Sequence, residues 1–231
     1  MREQRPYRKF QTLVRFFFNH QLFNNMKSTL FTALFTLAGL ALQAQSDSEH
    51  ASEIFAWRKT HLGDLLNNPR TPITPDDISN LRFYDPDAHY RLACKFERTP
   101  DEKPFDVPTS SGITKSFVKY GVLTFEWEGK KHKLAVYQNL TSRNVPGYAN
   151  HLFLPFRDLT SGEETYGGGR YIDLEVADVE KESPILDFNK CYNPWCSYSE
   201  GYSCPIPPQE NTLEIAIEAG EKMYAGEKKH K

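Results

Sequence analysis

The chain has 231 residues, enough for one ordinary domain with additions, and carries 28 Lys/Arg against 30 Asp/Glu. Residues 1–44 hold six of those basic groups and one Glu, so the remainder has 22 basic and 29 acidic side chains, a net charge of −7. That balance repels phosphate backbones and argues against a nucleic-acid partner.

From the N-terminus, residues 1–25 are basic and aromatic, and they precede a second methionine. Met26-Lys27 leads into "STLFTALFTLAGLALQAQ", an apolar run from Leu30 to Leu42 followed by the small residue Ala44. This is the pattern of a secretory signal peptide over 26–44, cleaved near Ala44–Gln45. The run of about 13 residues is shorter than the roughly 20 that span a bilayer. Met26 is the expected start and 1–25 a non-native extension; an uncleaved anchor is the rival reading. No cysteine ends the run, which argues against a lipid anchor. The protein is expected to be exported, periplasmic or extracellular, with no stable membrane span after cleavage.

Residues 45–82 read as helical. Ser46 and Glu49 fit a capping box, and Ile54, Trp57, Leu62, Leu65 and Leu66 recur at helical spacing. Gly63 weakens this helix and Asn67-Asn68-Pro69 ends it. A second, short helix opens at Thr74-Pro75, with Asp76 and Asp77 at its positive end rather than on a metal. From Phe83 to Lys222 the pattern is that of strands: 90–96, 116–139, 151–156, 169–177, 184–189 and 212–220. The stretch 116–139 is a hairpin, with Leu123, Phe125 and Trp127 on one face, a turn at Glu128-Gly129-Lys130, and Leu134 and Val136 returning. About seven strands on short turns predict a mainly β chain. The expected fold is a single antiparallel β-sandwich or partly open barrel preceded by one long and one short α-helix. Residues 223–231, ending in "GEKKHK", read as a solvated polar tail.

All four cysteines, Cys94, Cys191, Cys196 and Cys204, lie beyond the signal. An even count in an exported chain predicts disulfides, and the pairing favoured is Cys196–Cys204 with Cys94–Cys191. The first would close "SYSEGYS", where Gly201 permits the reversal. Zinc fits poorly, because the cysteine spacings are wide and no second knuckle follows. A catalytic thiol has no histidine near it in sequence. No metal and no cofactor is expected.

Two polar stretches are candidates for a pocket. "RDLTSGEETYGGGRY" (157–171) holds Arg157, Asp158, Tyr166 and Arg170 around a glycine run. No G-K-[ST] is present, so the run is a turn or bulge rather than a phosphate loop. The arginines would clamp an anion, or Arg170 would pair internally with Asp158 or Asp187. The second stretch carries Asp187, Asn189, Tyr192, Asn193, Glu210 and Asn211. Carboxylates and amides at this density suit acid–base work and oxyanion binding, or they satisfy irregular backbone. The two stretches are expected to pack together, with Arg157 or Arg170 reaching Asp187, Glu210 or a bound anion. His61, His89, His132 and His151 lack metal spacing, and Ser110, Ser111 and Ser161 lack a nucleophile elbow.

Together "FYDPDAHYRL" (83–92), "LPFRDLTSGEETYGGGRYIDL" (154–174) and "LDFNKCYNPWCSYSEGYSCPIPPQENTLEIAIEAGEK" (186–222) resemble the exported bacterial family called domain of unknown function 1684. The family's pattern falls on Arg157, Asp158, Thr160, Gly162, Tyr166 and the Gly169-Arg170-Tyr171 run. It continues on Asp187, Asn189, Tyr192-Asn193-Pro194, Cys196, Cys204, Pro205, Glu210 and Asn211. Cys191 departs from it, a small residue being commoner there, which fits a second staple to Cys94. The resemblance implies the fold and export but no reaction. Two functions follow as expectations. One is a disulfide-stapled envelope or periplasmic module that binds a small ligand or an envelope protein. The other is an exported enzyme, such as a hydrolase, using Asp158, Arg170, Asp187 and Glu210.

Overall fold

The computed structural model describes residues 44–230; the expected extension and nearly all of the expected signal peptide lie outside them. Residues 44–67 are helical (α1), and the chain from His50 onward forms one compact unit. Thr74 and Asp77 then cap a 3-10 helix, Pro75–Asn80, where the short α-helix was expected. The strands are β1 (Arg91–Arg98), β2 (Phe105–Pro108), β3 (Thr114–Trp127), β4 (Lys130–Asn139), β5 (His151–Phe156), β6 (Arg170–Glu175) and β7 (Ile185–Asp187). One turn of helix, α2 (Val176–Val179), follows β6. All seven strands form one antiparallel sheet, β6-β5-β4-β3-β1-β7, curled into a half-barrel. Its long strand β3 takes β2 beside its first half and β1 beside its second. No helix among the described residues is long and apolar enough to cross a membrane.

The hairpin forms because Glu128 and Gly129 both adopt positive φ (48° and 74°), the two-residue turn whose twist matches paired strands. Within β3 one extra residue, Tyr120, breaks the register between Lys119 and Gly121. A one-residue slip turns every later side chain to the other face. Phe117 therefore packs with Val107, Tyr137 and Phe153, whereas Leu123 and Phe125 pack with Leu134, Leu152 and Phe188. The sheet thus buries both faces. A third cluster joins the end of α1 (Leu65), the 70–81 segment (Ile73, Leu81), Tyr198 and Tyr224.

Three expectations are corrected. Residues 212–220 are not a strand: the alternation is present, with Leu213, Ile217 and Ala219 buried, but the segment is an extended strap held by side chains and single bridges. The tail is not free. Tyr224 is buried with its hydroxyl donating to Asp77 (3.1 Å), and Lys229 donates to Pro72 O (2.8 Å) and pairs with Asp77. Finally, Cys196 and Cys204 are bonded, but Cys94 and Cys191 are separate, buried free thiols. The Cys191 Sγ–H points at Ala219 O (3.4 Å), under Gly220, where even a Cβ would strike the sulfur; Cys94 faces Leu92 O (3.5 Å).

Burial pushes both free thiols up to about 11, so neither is a thiolate near neutral pH. A thiol reagent should find no reactive cysteine in the native protein and two after denaturation without reductant. Four reactive thiols would exclude the Cys196–Cys204 bond. Replacing both cysteines of that bond with serine should lower stability by roughly 2.5 kcal/mol, the chain-entropy value for so short a loop.

Candidate functional site

The polar residues singled out by the sequence lie mostly inside the fold, where they fasten backbone. Arg170, at the start of β6, is fully buried and pairs with Asp158 at 2.6 Å. Its guanidinium also donates to the carbonyls of Ile217 (2.8 Å) and Ala219. Asp158 accepts from Ile217 N (3.2 Å) and from both the N–H and the hydroxyl of Thr160 (3.0 and 2.6 Å). This pair takes the place of a neighbouring strand along the 212–220 strap.

Asn211 does the same between β4 and β5. Its amide exchanges two hydrogen bonds with the Ala135 backbone (2.8 Å each) and donates to Pro155 O (2.7 Å). Asp187 holds His50 at 2.9 Å and accepts from Asn189 N and Nδ2 (3.0 and 2.9 Å). Asn189 in turn exchanges two bonds with the Asp87 backbone. Asn193 donates its N–H to Glu221 and its amide to Lys222 O (2.8 Å each). Arg157 is bound through its backbone to Asn211 and Leu213. Glu210 lies at the surface, paired with Lys119 (2.7 Å) and accepting from Tyr137 (2.6 Å).

The two polar stretches do pack together. Tyr171 and Tyr192 exchange backbone hydrogen bonds (2.9 and 3.0 Å), and Tyr166 reaches Cys196 O at 3.5 Å. Arg170, however, takes Asp158 as its carboxylate, not Asp187 or Glu210.

One strongly perturbed group has no counterpart in the sequence reading. Glu221 is 1% exposed, and its carboxylate accepts from Asn193 N (2.8 Å) and Tyr198 OH (2.6 Å). Burial raises its pKa to about 7, against the pull of those bonds and of Arg170. A lone Glu at the end of an alternating segment gives no sequence signal of this.

An open cleft of about 690 Å³ lies beside this polar frame. Of the ten residues nominated from the sequence, Tyr192 alone lines it. The end of α1 supplies His61 and Asp64, Asn68 directly follows the helix, and β6 supplies Tyr171 and Asp173. The stapled loop adds Trp195 and Tyr202. His61 sits between Trp57 and Tyr192, 4.9 Å from each ring, and burial lowers its pKa. Asp173 accepts from Tyr192 OH (2.7 Å) and binds His151 (3.0 Å), whose pKa it raises through that bond. Among the described residues no group of three or more His, Cys, Asp or Glu is placed to hold a metal. The cleft therefore offers ring faces, carboxylates and cations along its lining, which suits recognition of a polar, ring-bearing molecule.

No curated protein matches the chain. Among solved structures it is similar to the solution NMR structure of an uncharacterized protein from gene locus rrnAC0354 of Haloarcula marismortui, with 31% identity and a TM-score of 0.56. That likeness covers 74% of this chain and 96% of the other. Residues 76–222 match the family described as Protein of unknown function (DUF1684) and include every residue of the Asp158–Arg170 and Asn211 fasteners. The chain belongs to the DUF1684 family.

Proposed function

We propose that the protein is an exported, disulfide-stapled binding module that holds a small ligand in the cleft. The observation that carries this reading is a division of labour among polar groups. Asp158, Arg170, Asn189 and Asn211 are buried and occupied by backbone, whereas Asp64, Tyr148 and Asp173 stand exposed around a 690 Å³ cleft. The same division argues against an exported hydrolase built on Asp158, Arg170, Asp187 and Glu210, because none of the four lines the cleft. Export is supported by the signal-like run before Gln45 and by the Cys196–Cys204 bond, since such bonds persist in oxidising compartments.

A panel of sugars, amino acids and aromatic acids, screened by thermal shift and then by equilibrium titration, tests the binding half. Tyr148→Ala and Asp64→Asn alter exposed positions and should weaken binding by about tenfold, a typical contribution of one good contact. Glu210→Gln, outside the cleft, should leave affinity unchanged. Equal affinity in all three variants would remove the cleft as the site. N-terminal sequencing of the product recovered outside the cytoplasm should begin near Gln45, and an intact Met1 would refute cleavage there.

A further inference from the structure

Two cations in the cleft have no carboxylate partner among the described residues. Lys115, on β3, and Arg70, in the turn after α1, both line it. The side chain of neither forms an ion pair or hydrogen bond with any described residue, whereas Asp173 in the same cleft is paired with His151. The guanidinium of Arg70 lies 6.0 Å from the Trp195 ring centre, and Trp195 meets Tyr202 edge-on at 5.2 Å and 81°. Lys115 is half-buried and lines the same cleft. Its pKa is lowered first by burial and then by the charge of Arg70, so the two cations feel one another. A half-buried, unpaired cation next to a like charge is unfavourable for folding. Its presence is the more notable in a chain whose net charge after residue 44 is −7.

We infer that Lys115 and Arg70 form an anion subsite, and that the cleft takes a carboxylate or phosphate borne on a ring that stacks on the Trp195–Tyr202 wall. The anion would meet two donors that line the same cleft, and the Cys196–Cys204 bond closes the loop that carries Tyr202 of the aromatic wall. The inference rests on the proposed binding role of the cleft and adds the chemical class of its ligand.

The test uses benzoate and glucuronate as ring-bearing anions, benzyl alcohol and glucose as their neutral counterparts, and inorganic phosphate as an anion without a ring. At least one ring-bearing anion should bind saturably, at least about tenfold tighter than its neutral counterpart and tighter than phosphate, and more weakly as salt rises. The arm that binds better identifies an aromatic acid or an acidic sugar. Lys115→Gln and Arg70→Gln should each lower that affinity by about tenfold or more. Without any ligand, Lys115→Gln should raise the thermal midpoint by about 2–4 °C, because it removes an uncompensated charge. Neutral counterparts binding as tightly as the anions, or unchanged affinity in Lys115→Gln, would overturn the anion subsite and leave the cleft as a ligand site. A lowered midpoint in Lys115→Gln would show that the lysine is paired in solution and would also overturn it. No binding by any probe would overturn both the subsite and the cleft.

Discussion

Arg170→Ala should lower the free energy of unfolding by about 3–5 kcal/mol, measured by urea denaturation, because it breaks a buried ion pair and leaves the other charge behind. Asp158 would stay buried with its remaining bonds to Thr160 and Ile217, and the carbonyls of Ile217 and Ala219 would lose their donor. Domains of this size have about 5–15 kcal/mol in total, so the variant should be close to unfolding. The double variant Arg170→Met with Asp158→Asn should lose less than the sum of the single changes, since no unpaired charge remains. A loss below about 1 kcal/mol for Arg170→Ala would mean that the pair faces water in solution.

Glu221 should make the protein less stable as pH rises from about 4.5 to about 7. Its folded pKa, about 7, lies above its usual value of 4.5. Between those values the native state keeps a proton that the unfolded state has lost, so unfolding is favoured progressively as pH increases. The shift corresponds to roughly 3 kcal/mol across the window, fully present below it and gone above it. His61, with its lowered pKa, acts in the opposite direction, and His151, with its raised one, in the same direction. Glu221→Gln isolates the carboxyl. Gln can accept from Asn193 N and donate to Tyr198 while keeping the shape, and the difference between wild-type and variant pH profiles should be confined to this window. Parallel profiles would mean that Glu221 is ionised in the folded protein throughout.

Much of the fold is legible from local rules. The Glu128-Gly129 turn, the alternation in 123–136 and the short Cys196–Cys204 loop depend on neighbours in sequence, and each is found where it is expected. Strand β2 is four residues ending in Pro108, too short to show a period. The 212–220 segment has the alternation of a strand but lacks a strand partner, because Arg170, from a distant segment, takes its carbonyls.

The candidate site was harder to read for the same reason. Asp, Asn and Arg can hold a ligand or hold backbone, and only the position of a partner far along the chain decides which. Asn211 finds Ala135, and Asn189 finds Asp87. The cleft residues Asp64, Lys115, Asp173 and Tyr202 come from four separate segments, and no spacing links them. Cys191 shows the point at one atom. Its departure from the family pattern suggested a second staple, but the passing strap at Ala219 and Gly220 encloses the sulfur.

The claim that patterned polar residues hold the fold while the ligand occupies the cleft is tested most directly by amide chemical-shift mapping of fragment-library hits on the isotope-labelled protein. The largest changes should fall at His61, Lys115, Asp173 and Tyr202, with the amides of Asp158, Arg170, Asn189 and Asn211 quiet. Hits that cluster on Asp158, Arg170 and Asn193, or a folded protein that shows no hits at all, would contradict the account.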